Sequence, residues 1–169
     1  MPIAKKIITP EDARLKMASL CSRSEQCESD IRRKLVNMGL QSSQISDILA
    51  FLKDEKFIDN ARYAKSFAND KAKFAFWGQF KIKAALVSKH ISSSFINEAL
   101  ATIDDEIWEN AAMRNASSKA RFLDLTLPGD DGYQNRKKLY LYLIGRGFSS
   151  PLANKAVKVM RNLQEEKNV

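Results

Sequence analysis

Apolar residues recur along this chain at intervals of three and four, the period of a helix that buries one face. No window of six residues alternates with period two without a better helical reading. Glycine (6) and proline (4) are too scarce to interrupt the pattern often. The periodicity predicts helices over residues 10–22, 27–38, 42–55, 59–75, 78–89, 92–103, 104–122, 134–146 and 149–163. Thr9 precedes Pro10, Glu11 and Asp12, which reads as an N-cap followed by proline at the first helical position. The expected class is all-α.

The helical pattern repeats. IRRKLVNMGL (31–40), IKAALVSKHI (82–91) and LYLYLIGRGF (139–148) align so that Ile31, Ile82 and Leu139 share a position, as do Leu35, Leu86 and Leu143. Each segment closes on Gly39, His90 or Gly147, followed by Leu40, Ile91 or Phe148. Glycine at a helix end tolerates the left-handed conformation that stops the helix; histidine tolerates it less well. A serine-rich start follows each time (QSSQI, SSSFI, SSPLA), supplying N-caps for the next helix. That helix presents Ile45, Ile48, Leu49 and Leu52; then Ile96, Ala99, Leu100 and Ile103; then Ala153, Ala156, Val157 and Met160.

Three tandem three-helix modules are expected: 1–58 with a short N-terminal extension, 59–103, and 104–169 with a Pro/Gly/Asp loop near 127–133. Modules of this size bury little surface alone, so neighbours must pack on one another in an elongated, curved row.

Charge narrows the partners. Lys and Arg number 28 against 20 Asp and Glu, a net +8, which favours an anionic partner without specifying one. The middle module is the most basic for its length, with seven basic and three acidic residues over 59–103. The start, MPIAKKIITPEDA, carries no signal-like apolar run, and no stretch is apolar enough to span a membrane. Cys21 and Cys27, with His90 as the only histidine, make no zinc pattern and fit a reducing, cytoplasmic setting as small semi-buried thiols. No catalytic, metal or cofactor motif is present, so neither an enzyme nor a cofactor is expected. Asp104, Asp105 and Glu106 suit a helix start.

The segments CSRSEQCESDIRRKLVNMGL (21–40), FLKDEKFIDNARYAKSFANDK (51–71) and WGQFKIKAALVSKHI (77–91) resemble the bacterial RecX regulatory proteins. The most specific part is Phe57-Ile58-Asp59 with Arg62-Tyr63-Ala64, then Gly78 and the helix after it. The resemblance covers residues 13–103 well and 104–163 more loosely. It implies three repeated three-helix units and a regulator, usually an inhibitor, of the RecA recombinase, acting in recombination, DNA repair and the SOS response. It also implies binding in the groove of the RecA filament on single-stranded DNA. Where many members carry a Gly/Arg/Lys-rich turn before Gly78, this chain has Phe74, Phe76 and Trp77.

Candidate contacts for RecA or DNA come from basic positions. Arg32 and Arg33 sit off the Ile31/Leu35 stripe, Lys81 and Lys83 flank Ile82, and Arg136, Lys137 and Lys138 open the matching third-module helix. Repeated at one site of each module, these clusters would line one face; singly, each reads equally as a solvated helix surface. Arg62 and Lys65 flank Tyr63, while Lys71 and Lys73 enter the stretch KAKFAFWGQFKIK (71–83). From Lys71 to Asn97 no carboxylate is present. Phe74 and Phe80 read as core; Phe76 and Trp77 either pack between modules or form an exposed partner contact. Asp59, Tyr63, Gly78, Gly39 and Gly147 read as structural signature positions. Two other readings stay open: an autonomous DNA-binding repeat protein, and a scaffold whose face binds a peptide or helix. A monomer is expected.

Overall fold

In the computed structural model, which describes residues 8–168, every regular element is an α-helix. Residues 1–7, on which the expectation of no signal-like run falls, lie outside the described residues. The order is α1 (Pro10–Arg23), α2 (Glu28–Asn37), α3 (Ser42–Asp54), α4 (Asn60–Lys73), α5 (Gln79–Ser88), α6 (Ser93–Ala101), α7 (Asp105–Ala120), α8 (Gly129–Gly145) and α9 (Ser150–Lys167). Thr9 Oγ1 caps α1 by accepting from the Asp12 N–H at 3.1 Å, and Pro10 occupies the first turn.

Buried side chains form three clusters. The first gathers Met17, Ile31, Leu35, Ile45, Ile48, Leu49 and Leu52 around α1–α3. The second centres on Tyr63, Ile82, Leu86, Ile91 and Ile96 from α4–α6; the third on Leu125, Leu139, Leu143, Phe148 and Met160 from α7–α9. Two residues cross over. Cys27, fully buried before α2, and Trp108 of α7 both belong to the second cluster, so the middle core is completed by both neighbours. The accessible surface, 10667 Å², exceeds the roughly 8,400 Å² of a compact chain of this mass, as three cores in a row require.

The middle helix of each unit ends in one and the same cap. Gly39, His90 and Gly147 have φ of 83°, 58° and 90°. Their N–H groups donate to Val36, Val87 and Ile144 carbonyls, each at 2.9 Å. The next residue donates further back: Leu40 to Leu35, Ile91 to Leu86 and Phe148 to Leu143. This is the Schellman arrangement, which satisfies carbonyls that a helix end would leave unpaired.

Two expectations are corrected. The region 127–133 is mostly not a loop, because α8 starts at Gly129, five residues early. Asp130 and Asp131 fall in its first turn, where the helix dipole favours them. Gly132 lies so close under the chain that an added Cβ would stand 1.8 Å from the Leu127 carbonyl oxygen. The serine starts also differ. Ser92 caps α6 through its side chain, whereas Ser149 makes no such bond and Gln41 with Gln44 caps α3.

Candidate functional site

The stretch 71–83 forms the turn between α4 and α5, and it is built against the third unit. After α4, Phe76 adopts φ of 52°, and the Trp77 N–H returns to the Lys71 carbonyl at 3.0 Å. The Gly78 N–H donates to the Arg146 carbonyl and the Phe80 N–H to the Gly147 carbonyl, both at 2.9 Å. The cap closing α8 thus supplies acceptors for N–H groups that open α5. The approach is so close that a Cβ on Gly78 would lie 2.2 Å from the Gly147 carbonyl carbon.

Asn115 of α7, the buried polar residue of the core, holds this turn from below. Its amide nitrogen donates to the carbonyls of Phe76 and Ala111, each at 2.8 Å. Its Oδ1 accepts from Arg146 Nε at 2.9 Å and Tyr142 Oη at 3.4 Å. Arg146 also donates to the Ala75 carbonyl at 3.2 Å. Both amide hydrogens and the carbonyl of Asn115 are therefore engaged. Sequence reasoning missed Asn115 and Arg146; a lone asparagine in the small-residue run AAMRNASSKA was the available signal.

Above the turn lies a ladder of rings and cations. Tyr63 stacks on Phe67 at 5.8 Å between centroids, and Phe67 meets Trp77 edge-on at 6.4 Å. Lys81 Nζ stands 4.4 Å and Lys71 Nζ 5.0 Å from the Trp77 centroid, each contact worth about 0.5–1 kcal/mol at a surface. Arg114 lies over Phe76 at 5.1 Å. Burial, and then the Arg146 charge, push the Lys81 ammonium below its ordinary value. No carboxylate pairs with Lys71, Lys81, Arg114 or Arg146 among the described residues.

Phe76 packs against the third core and Trp77 against the second. Phe74 and Phe80, expected in the core, are instead 75% and 55% exposed. Phe74 follows the last turn of α4 and Phe80 lies on the outer side of α5, opposite the buried Ile82.

The other candidates separate by what they touch. Arg62 pairs with Glu25 at 2.5 Å and donates to the Lys56 carbonyl at 3.1 Å, tying α4 to the first unit. Asp59 caps α4 by accepting from the Arg62 N–H, and Tyr63 is buried. Arg32 pairs with Glu28, and Arg33 with Asp30. Arg136 turns inward to the Leu125 carbonyl at 2.9 Å. Lys65, Lys73, Lys83, Lys137 and Lys138 are exposed without an ion pair among the described residues. Lys71, Trp77 and Lys81 are brought together, whereas the three repeated basic clusters meet three different fates.

No cluster of three or more metal-ligating side chains occurs among the described residues, and no helix among them is long and apolar enough to cross a membrane. The fold and this junction define an all-helical, three-unit repeat protein that offers surfaces along its length. Residues 59–100 match the family model described as "RecX, second three-helix domain". The chain is 31% identical over 163 residues to the regulatory protein RecX of Clostridium botulinum strain Eklund 17B, covering 94% of this chain and 75% of that protein. It is 30% identical over 131 residues to the regulatory protein RecX of Chlorobium phaeobacteroides, covering 78% and 82%. A crystal structure of regulatory protein RecX superposes with TM-score 0.77 at 25% identity, over 88% of this chain and 73% of that one. RecX from Lactobacillus salivarius shares the fold, with TM-score 0.74 over 91% and 97% of the two chains at 19% identity. The chain belongs to the RecX family of regulatory proteins.

Proposed function

We propose that this chain regulates the RecA recombinase, as an inhibitor, by binding the RecA filament on single-stranded DNA and limiting its extension or activity. In this reading it acts in the cytoplasm as a monomer without catalytic activity, and its units divide at 1–58, 59–103 and 104–169. The observation that carries the reading beyond family membership is the unneutralised charge at the second junction: Lys71, Lys81, Arg114 and Arg146 crowd one turn with no acid to absorb them. A filament offers phosphate and carboxylate together, and several modest contacts along a row of units add up on a repeating partner. The test is RecA-dependent ATP hydrolysis on single-stranded DNA with increasing amounts of this protein. Falling hydrolysis and shorter filaments are expected; unchanged hydrolysis and unchanged filaments overturn the proposal.

A second reading, direct binding to single-stranded DNA, is favoured by exposed Phe74 and Phe80 beside Lys73 and Lys83, since rings among cations stack on bases. Fluorescence anisotropy of a labelled oligonucleotide with this protein alone tests it. Salt-sensitive binding lost in Phe74→Ala supports it, and no binding at low salt sinks it.

A further inference from the structure

The cap that ends α2, α5 and α8 leaves one side chain uncovered each time. Its apolar closure uses Leu35 with Leu40, Leu86 with Ile91, and Leu143 with Phe148, each pair in the core of its own unit. The residue after each leucine is Val36, Val87 or Ile144, and these are 56%, 55% and 37% exposed. One exposed aliphatic residue is ordinary. The same position in all three units is different, because neither capping nor packing uses it and β-branching is no asset on an exposed helix.

Each of these residues heads a face that sets an exposed aliphatic side chain beside a long cationic or aromatic one. One turn back, at i−4, stand Arg32, Lys83 and Tyr140. Exposed Phe80 lies two turns before Val87, and exposed Leu141 lies one turn before Ile144. The faces follow one another because the start of each middle helix is bonded to the end of the next one. Ser29 Oγ at the start of α2 donates to the Lys89 carbonyl at the end of α5 at 2.7 Å, and the Phe80 N–H at the start of α5 donates to the Gly147 carbonyl after α8 at 2.9 Å.

We propose that the outer faces of α2, α5 and α8 form one docking surface for a protein that itself repeats and presents apolar patches rimmed by carboxylates. This rests on the function proposed above and assigns the contact with the protein subunits of the filament to the middle helices. A second copy of this chain is a poor occupant, since both copies carry a net +8 and would set Lys83, unpaired among the described residues, against a basic surface. Nucleic acid would use the cations but leave the aliphatic side chains without an apolar partner.

The test is the variant Val36→Ala/Val87→Ala/Ile144→Ala in the full chain, where alanine favours the helix. Binding is measured to preformed RecA filaments on single-stranded DNA at low and high salt, and to the same DNA alone. Filament affinity is expected to fall at least tenfold at both salt concentrations, with DNA affinity and thermal stability unchanged. Wild-type filament binding by the variant overturns the docking surface and leaves the proposed function standing. Failure of the unaltered chain to bind the filament overturns both. An equal loss on DNA alone places nucleic acid on this face and overturns the protein assignment.

Discussion

The two junctions between units differ in what crosses them: side chains at the first, where Ser29 Oγ reaches the Lys89 carbonyl, and backbone N–H groups at the second, where Gly78 and Phe80 reach the Arg146 and Gly147 carbonyls. At the first, acids and bases alternate: Lys89 meets Asp30 at 2.6 Å, Arg62 meets Glu25, and Glu28 is shared by Arg32 and Lys53. At the second, the residues equivalent to Asp30 and Lys89 are Lys81 and Arg146, two cations. Bonds to neutral acceptors hold that junction instead: the Arg146 guanidinium on Asn115 and the Ala75 carbonyl, the Asn115 amide on the Phe76 carbonyl, and two glycines in backbone contact. The first junction therefore spends its charge on folding. The second commits Arg146 to the turn and leaves Lys71, Lys81 and Arg114 without an acid partner among the described residues.

The largest expected effects come from the glycines of the second junction. Gly78→Ala places a methyl group 2.2–2.4 Å from the backbone of Gly147 and Phe148, which cannot move aside as a flexible side chain can. A loss of about 3 kcal/mol is expected, read by denaturant unfolding. Gly39 offers the control. It shares the cap position of Gly147, with φ of 83° against 90°, but nothing lies within 4 Å of an added Cβ. Gly39→Ala should cost only about 1 kcal/mol, the strain of the left-handed backbone. Equal losses at the two sites would mean that close packing does not define the second junction.

Asn115→Ala comes next. It leaves the Phe76 carbonyl and Arg146 Nε without their partner in a buried setting, at about 2 kcal/mol. Because no ion pair is broken, this loss should be the same at low and high salt. Arg146→Met sharpens the point, since removing the like charge should let the Lys81 ammonium rise toward its ordinary 10.5, observable by NMR titration.

The first junction should respond to pH instead. Burial of Asp30 opposes its ionisation, but the hydrogen bond and charge of Lys89 outweigh this and hold the carboxyl below its ordinary 3.8. The stability it contributes is present above about pH 4 and is lost as pH falls through the lower folded value. Asp30→Asn should remove that dependence and cost about 1 kcal/mol at neutral pH, less in high salt. A pH profile of stability in Asp30→Asn that matches the unaltered chain between pH 5 and 2 would break the contrast.

Most of the fold was legible because it rests on repetition. Ile31, Ile82 and Leu139 announce one buried stripe three times, and Gly39, His90 and Gly147 mark one cap. What was not legible depends on contact between units. Phe74 and Phe80 look like core by composition, yet the turn that docks on Gly147 carries Phe76 and Trp77 inward and leaves them outside. Asn115 and Arg146 act across 31 positions of sequence, beyond the reach of helical periodicity. Arg136 looked like part of a basic surface but bonds to the Leu125 carbonyl, which only the folded third unit brings near.

The smallest effect is the one at which sequence and structure agree on a flaw. His90 occupies the cap position held by glycine in the other two units, and its φ of 58° puts a Cβ-bearing residue in the left-handed region. Such a conformation costs about 1–2 kcal/mol in a residue other than glycine. Glycine removes that strain but gives the unfolded chain more freedom, which offsets part of the gain. His90→Gly should therefore stabilise the protein by about 0.5 kcal/mol in denaturant unfolding at neutral pH. The gain should fall away if the imidazole, which lines the cleft of about 650 Å³ with Arg32, Arg33 and Val36 at the first junction, makes a compensating contact there. A destabilised His90→Gly would therefore mean that the middle unit keeps histidine for the junction rather than for the cap.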